Sequence, residues 1–542
     1  MLIPSIVFWA PPRSAAASDL RFLSSFGEYG EVSGIITLLA NGCPGRLSLT
    51  DATSPDSPEW ITPSCADGRL RHRVDTRKIS DGVPYAMNMY DEEGRYAGQV
   101  RFTPHNPPVR KVKYLSKGVY VSGGWSDSRL AGAYSYIEED GYVPNWVQGI
   151  AVVLAWRQLQ PTGPQDLDVS RIQQALDYVA GHAAPGRLSP LRVIVVIELG
   201  ETSTPVWYVR DSPDGFGERV VRYQDADGKA FGFTPWDTLA GDMFDNATAR
   251  VAARFDEVPG FGGIYLGGAG TPRYPEMWYP RFTGYAGRYA GDRDADGYLG
   301  APDFDWRTPC PELAPDPLRQ AAAWRDTYTL MSSQFPRTPL IGMLDVTRES
   351  DDYASLGRTT KAIEAIFSSG DIADDSKLAI GVTNMSPHTF DQQDVSFSRQ
   401  DWAKYPVIDS YVDSHPGVFR FNEVDPMKFS NLSGSQDPAP YMPAGRVAPA
   451  VAGRENGRDY RRWLETVVGY CGDAREPNDG RNPFMVSCDA VLVHRSNLDP
   501  GFGVHEWVFD TCTLREASWL TWGVGEPDDR CADPRPALAP WR

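Results

Sequence analysis

The 542-residue chain carries 71 acidic against 53 basic side chains, a formal charge of −18, which argues against nucleic-acid binding, since that normally needs a basic face. Hydrophobic content of 41% with 23% charged residues describes a folded chain rather than a disordered one, and its length predicts two or three domains rather than one core. No run of about 18 apolar residues occurs, so no membrane span is expected.

In chain order, the opening "MLIPSIVFWAPPRSAAAS" lacks a basic segment ahead of its apolar stretch, and Ile6–Trp9 reads as a strand rather than as part of a signal peptide. Residues 1–108 show short strands broken by Gly, Pro and Asp: "GIITLLA", "GRLSLTDA", "LRHRVDT". Alternation over Tyr85–Tyr90 and Gln99–Phe102, with "DEEG" between them, predicts a hairpin. This density of strands predicts an antiparallel β-sandwich. The stretch "DTRKISDGVPYAMNMYDEEGRYAG" followed by "TPHNPP" resembles the closing strands of bacterial immunoglobulin-like or fibronectin-like modules. "TPHNPP" reads as a linker, because proline and the residue before it are held extended. Cys43 and Cys65 lie in this segment and can pair, which suits an extracellular or cell-surface setting. The seven cysteines form no C-x-x-C, so a thiolate zinc site is not expected.

Residues 109–542 change texture. Apolar runs occur at 118–123, 149–156, 191–199, 261–268, 339–346, 377–384, 417–424 and 489–497. Runs apolar on both faces suit parallel strands covered on both sides. Between them Ile172, Leu176 and Val179, then Phe244, Ala247, Val251 and Phe255, recur at helical spacing, as do apolar positions in "TTKAIEAIFSSG" and "YRRWLETVVGY". Eight such runs predict a (β/α)8 TIM barrel with long loops. A doubly wound sheet is disfavoured, since no G-x-G-x-x-G follows the first strand.

Barrel chemistry belongs at the carboxyl ends of the strands. The candidates there are Glu198 after strand three, Glu276 after strand four, Asp345 at strand five, Asn384 at strand six, Asn422 and Glu423 at strand seven, and His494 at strand eight. Glycoside hydrolysis needs two carboxyl groups flanking the scissile bond, and strands four and seven lie across the mouth from one another. Trp156, Trp207, Trp236, Trp278 and Tyr279 are candidate sugar platforms, with core packing as the competing role.

The segments "GIAVVLAWRQLQPTGPQDLDVSRIQQAL", "VIVVIELGETSTPVW" and "TPWDTLAGDMFDNATARVAARFDEVPGFGGIYLGG" resemble strands two to four of barrel glycosidases in the β-galactosidase and cellulase-like superfamily. The resemblance covers most of residues 118–300. It implies a glycoside hydrolase acting on a poly- or oligosaccharide by retention, with Glu276 as acid/base and Glu423 as nucleophile. Two positions depart from the pattern: Pro275 stands before Glu276 where Asn is usual, and Gln160 stands where Glu is common. The first departure keeps a second function open, a non-catalytic carbohydrate-binding or assembly-forming surface protein on the same barrel, with association through the β-sandwich.

"DRDADGYLGAPD" (292–303) carries calcium-loop spacing. Asp292, Asp294 and Asp296 take positions one, three and five, Gly297 the sharp turn, Tyr298 a carbonyl ligand and Asp303 position twelve. A structural calcium is therefore expected, with a solvated acidic turn as the alternative. "QDADGK" (224–229) reads as a hairpin turn. There is no H-E-x-x-H and no G-x-S-x-G.

Overall fold

The computed structural model describes residues 20–52, 54, 57–66, 68–108, 112–122, 134, 137–187, 189–199, 205–209, 221–225, 228–232, 238–266, 292–293, 299–300, 317–344, 365–366, 377–382, 411–412, 414–423, 489–494, 515, 518 and 524. Eight strands come first: β1 (Glu31–Val32), β2 (Ile35–Ala40), β3 (Arg46–Asp51), β4 (Glu59–Ile61), β5 (Cys65–Ala66), β6 (Arg69–Asp75), β7 (Tyr85–Tyr90) and β8 (Tyr96–Pro104). They form a five-stranded sheet, β1-β8-β7-β3-β4, and a three-stranded sheet, β2-β6-β5. Alternate residues of each strand face a shared core: Leu47 and Leu49, Met87 and Met89, Val100 and Phe102 from one sheet, Ile36, Leu38, Leu70 and Val74 from the other. The pairing is antiparallel except for β1, which runs parallel to β8. The expected hairpin is present, its turn held by the Asp91 carboxylate, which accepts from the Arg95 backbone N–H at 2.8 Å and from its Nε at 2.7 Å. Cys43 and Cys65, which the sequence allows to pair, form a disulfide, Cα atoms 5.8 Å apart.

The second part is a closed barrel. Its strands are β9 (Gly118–Ser122), β10 (Val147–Ala155) and β11 (Arg192–Glu198). After the hairpin β12 (Val221–Asp225) and β13 (Gly228–Gly232) comes β14 (Phe261–Tyr265). After the short pair β15 (Asp292–Arg293) and β16 (Leu299–Gly300) come β17 (Leu340–Leu344), β18 (Leu378–Val382), β19 (Phe419–Glu423) and β20 (Ala490–His494). The ring order is β10-β11-β14-β17-β18-β19-β20-β9 with every pairing parallel, so all eight expected runs are barrel strands. Helices α1 (Trp156–Leu159), α2 (Ser170–His182), α3 (Val206–Val209), α4 (Thr238–Phe255) and α5 (Pro317–Gln334) lie between them.

Strand parity sorts the barrel into two cores. Tyr120, Ala151, Val153, Ile194, Val196, Tyr265, Ile341, Met343 and Phe421 fill the interior. Their neighbours Val119, Val152, Val195, Ile264 and Leu340 pack outward against Ile172, Leu176, Phe244, Val251 and Trp324 of the helices. At the amino end of the strands Lys113 closes the base, donating to the carbonyls of Val258 and Phe261 at 2.9 Å and to Thr338 Oγ1 at 3.1 Å. Burial pulls its pKa down to about 7, with Asp256 opposing the shift.

The two parts are joined along β2, an edge strand of its sheet. An edge strand presents backbone groups that need partners when buried. Here α4 and α5 supply them. Asn246 accepts from the Thr37 N–H at 2.9 Å and donates to the Thr37 carbonyl at 2.7 Å. Ser333 Oγ accepts from the Ile35 N–H at 3.0 Å, and Gln334 Nε2 donates to the Ile35 carbonyl at 3.1 Å. Gln334 also donates to the Asp245 carbonyl and accepts from Thr248 Oγ1, so one amide ties α4, α5 and β2 together. Gly34 permits the approach: its φ is +73°, and a Cβ there would lie 2.5 Å from the Ser333 backbone.

Charge is buried at the same seam. Arg71 pairs with Asp242 through Nε at 2.5 Å and Nη2 at 2.9 Å. Asp245, one helical turn on, is buried beside it, and its Oδ1 has no hydrogen-bond partner among the described residues. Burial, then repulsion from Asp242 and Asp326, holds the Asp245 pKa well above the carboxylate range. A carboxyl whose pKa rises on folding contributes stability that is complete below its unfolded pKa and is lost as pH rises through the folded one. Asp245→Asn is therefore expected to stabilise the protein at pH 7–8 by about 1–3 kcal/mol, with the advantage shrinking towards pH 4. Thermal unfolding across that range checks this; a variant less stable than the parent at pH 8 contradicts it.

Candidate functional site

β19 ends in Phe419-Arg420-Phe421-Asn422-Glu423. Phe421 lies in the barrel interior, so by strand alternation Glu423 points inward one layer higher, at the carboxyl end. It is 3% exposed. The Tyr265 hydroxyl, from the fourth barrel strand β14, lies 3.4 Å from Glu423 Oε2 and donates across the mouth. The Tyr265 ring meets Phe421 edge-on at 6.4 Å, and Phe421 meets Tyr120 at 5.3 Å. Three aromatic rings thus form a rigid floor below the carboxylate. The Tyr120 hydroxyl is turned to the base, donating to the Ser116 carbonyl at 3.0 Å, and burial pushes its pKa up.

Glu198 closes β11 with the inward parity of Ile194 and Val196, in register with Ala155. β11 and β19 are the third and seventh strands, four places apart in a ring of eight, so Glu198 and Glu423 end diametrically opposed strands. His494 ends β20 in register with Ser122. Asn422 is fully buried, on the face of β19 opposite to Glu423.

One expected sugar platform proves to be a core residue. Trp156 is fully buried against Trp207, Tyr208 and Phe244, and its Nε1 donates to Gln160 Oε1 at 2.7 Å. Trp207 is partly buried and donates to the Gln160 carbonyl at 2.7 Å. Gln160 itself donates to the Pro164 carbonyl at 2.8 Å. Its amide both accepts and donates here, which a carboxylate cannot do; that explains Gln where the glycosidase pattern has Glu. Glu276, Trp236, Trp278, Tyr279, Asp345, Asn384, Asp294, Asp296, Tyr298 and Asp303 lie outside the described residues. The backbone of Asp292 pairs with that of Gly300. Among the described residues no group of three or more His, Cys, Asp or Glu is placed to hold a metal.

Tyr265 was not among the sequence candidates. Its signal was a polar-tipped ring within an apolar run, two positions before Gly267. A cavity of about 190 Å³ lined by Lys113, Lys117, Lys377 and Phe419 lies at the opposite, amino end of the barrel, where side chains serve stability rather than chemistry.

No family model and no curated protein matches this chain. Among solved structures it is similar to the catalytic domain of β-amylase from Paenibacillus polymyxa, with 13% identity, 76% of this chain and 99% of that one covered, and a TM-score of 0.43. A xylanase from Cellvibrio japonicus in complex with xylopentaose gives 9% identity, 95% coverage of both chains and a TM-score of 0.39. A xylanase from termite gut containing a bacterial Ig-like domain gives 11% identity, coverage of 88% and 92%, and a TM-score of 0.37. The barrel assignment rests on this chain's own strand register.

The contact across the mouth is measurable. Tyr265→Phe and Glu423→Ala, made singly and together, are expected to show a coupling of about 0.5–1.5 kcal/mol in unfolding free energy, the net worth of one hydrogen bond. Strictly additive effects would show that the two side chains do not meet.

Proposed function

We propose that the protein is a glycoside hydrolase acting on a poly- or oligosaccharide at the carboxyl mouth of the barrel. The observation that carries this is Glu423: a buried carboxylate on the inner face at the end of the seventh strand, touched by Tyr265 from the fourth and held over an aromatic floor. A carboxylate at the end of a barrel strand is where this fold performs chemistry. Glu423 is the nucleophile in this reading, attacking the anomeric carbon while Glu276, in the segment that follows β14 in sequence, protonates the leaving oxygen and later activates water. Support for Glu276 comes from its place after the fourth strand and from the sequence resemblance. Glu198, on the strand facing Glu423, contacts substrate hydroxyls. We assign the protein to an oxidising, extracellular or cell-surface setting, which the Cys43–Cys65 disulfide supports.

Hydrolysis of a panel of glycans is the test. Glu276→Gln is expected to lower the rate by about 10²–10⁴-fold, the usual worth of a general acid/base, and Glu423→Gln by at least as much. Products should keep the anomeric configuration of the substrate. Unchanged rates in both variants would remove the two-glutamate mechanism, and no hydrolysis by the parent would leave a binding protein.

The spacing of Asp292, Asp294, Asp296 and Asp303 supports a calcium ion in the loop 292–303. Chelation by EDTA is expected to lower the melting temperature and added calcium to restore it. Asp294→Asn with Asp296→Asn should abolish both responses. A parent melting temperature indifferent to calcium and EDTA rules the site out.

A further inference from the structure

We propose that the outer face of the five-stranded sheet is a second, non-catalytic glycan-binding site. Trp60 of β4 is 52% exposed and Tyr96 of β8 is 60% exposed, and both belong to one cluster. Trp60 lies 5.4 Å from Tyr90, Tyr90 lies 6.0 Å from Tyr96, and the Arg46 guanidinium sits 4.4 Å over the Trp60 ring. Register places these side chains together: Arg46 pairs with Tyr90, and Tyr90 with Tyr96. The Arg46–Trp60 stacking holds the indole in place at an exposed site. Aromatic rings exposed together on one face, rather than scattered singly, mark an interaction surface.

The same sheet face continues away from the rings as a polar ladder rather than an apolar patch. Asn88 donates to Ser48 Oγ at 3.3 Å and to Thr50 Oγ1 at 3.1 Å. Gln99 donates to Asn88 Oδ1 at 2.7 Å, and Arg101 donates to Gln99 Oε1 at 2.7 Å. Each planar group is pre-oriented by the next, and amides offer both donors and acceptors. The charges at its borders are matched: Arg95 with Asp91 and Glu93, Arg101 with Glu28 at 3.6 Å. A charge-balanced face of flat rings beside fixed amides complements an uncharged, hydroxyl-rich chain, whose ring C–H faces stack while vicinal hydroxyls bond to the ladder. An acidic polymer would meet no excess of positive charge there.

The site is independent of the barrel mouth, and the experiment separates the two. Binding to insoluble cellulose, xylan, mannan and starch is measured for the full chain as Glu423→Gln, so that hydrolysis does not consume the probe. Trp60→Ala with Tyr96→Ala is expected to weaken binding to the retained polysaccharide by roughly tenfold or more, the cost of losing aromatic anchors. Trp60→Phe should keep most of it. Both variants should melt with the parent, since these rings are exposed. Unchanged binding in the double variant overturns the proposal, as does failure of the chain to bind any of the four. Hydrolysis of soluble oligosaccharides by the parent reports on the Glu423 reading whichever way the binding falls.

Discussion

The structure depends on how the exposed edge of β2 is satisfied. A strand edge buried without partners would cost about 1–3 kcal/mol for each backbone group, and β2 is buried on both faces. Its even-numbered apolar residues, Ile36, Leu38 and Ala40, enter the sandwich core, whereas Leu39 joins the shell of the barrel. Helices α4 and α5 complete its ladder with side-chain amides and a hydroxyl in place of a neighbouring strand. Ala249 of α4 in turn enters the sandwich core. The two parts therefore share one packed seam rather than touching through a linker.

That seam has a consequence for the mouth. Helices α4 and α5 are the ones on either side of β14, the strand that carries Tyr265. By gripping both helices, the sandwich braces the strand whose hydroxyl meets Glu423. Rigidity of a side chain comes from the groups behind it, and here the chain of support runs from Thr37 through Asn246 and the outer core to β14 and then across the barrel. At the same seam burial raises the pKa of the Asp242 and Asp245 carboxyls, so their charge there comes at a cost in stability, while the hydrogen bond to Asp242 favours the charged Arg71.

The barrel itself was legible because each strand is an apolar run bounded by breakers, and two-sided burial leaves that mark in any local window. The helix α4 was legible for a similar reason. Helix α5 was overlooked although Ala321, Trp324, Tyr328, Met331 and Phe335 follow the helical period; the charged and small residues around its two aromatic positions blurred the stripe. Trp156, read as a platform, went the other way. An indole has the same composition in a core as on a binding surface, and only its neighbours distinguish them.

Local physics alone therefore determined the eight apolar runs that become barrel strands, and that Glu423 and Glu198 stand at strand ends. It also determined the hairpin at Asp91–Gly94 and the possibility of the Cys43–Cys65 bridge. Tertiary structure decided which side chains meet: Tyr265 with Glu423, 158 positions apart, and Asn246 with Thr37, 209 positions apart. It decided too that Trp60 and Tyr96 stay in water while Trp156 is enclosed. Periodicity records only which way a side chain points, whereas a contact requires the closure of the ring and the docking of α4 on β2, which no short window contains.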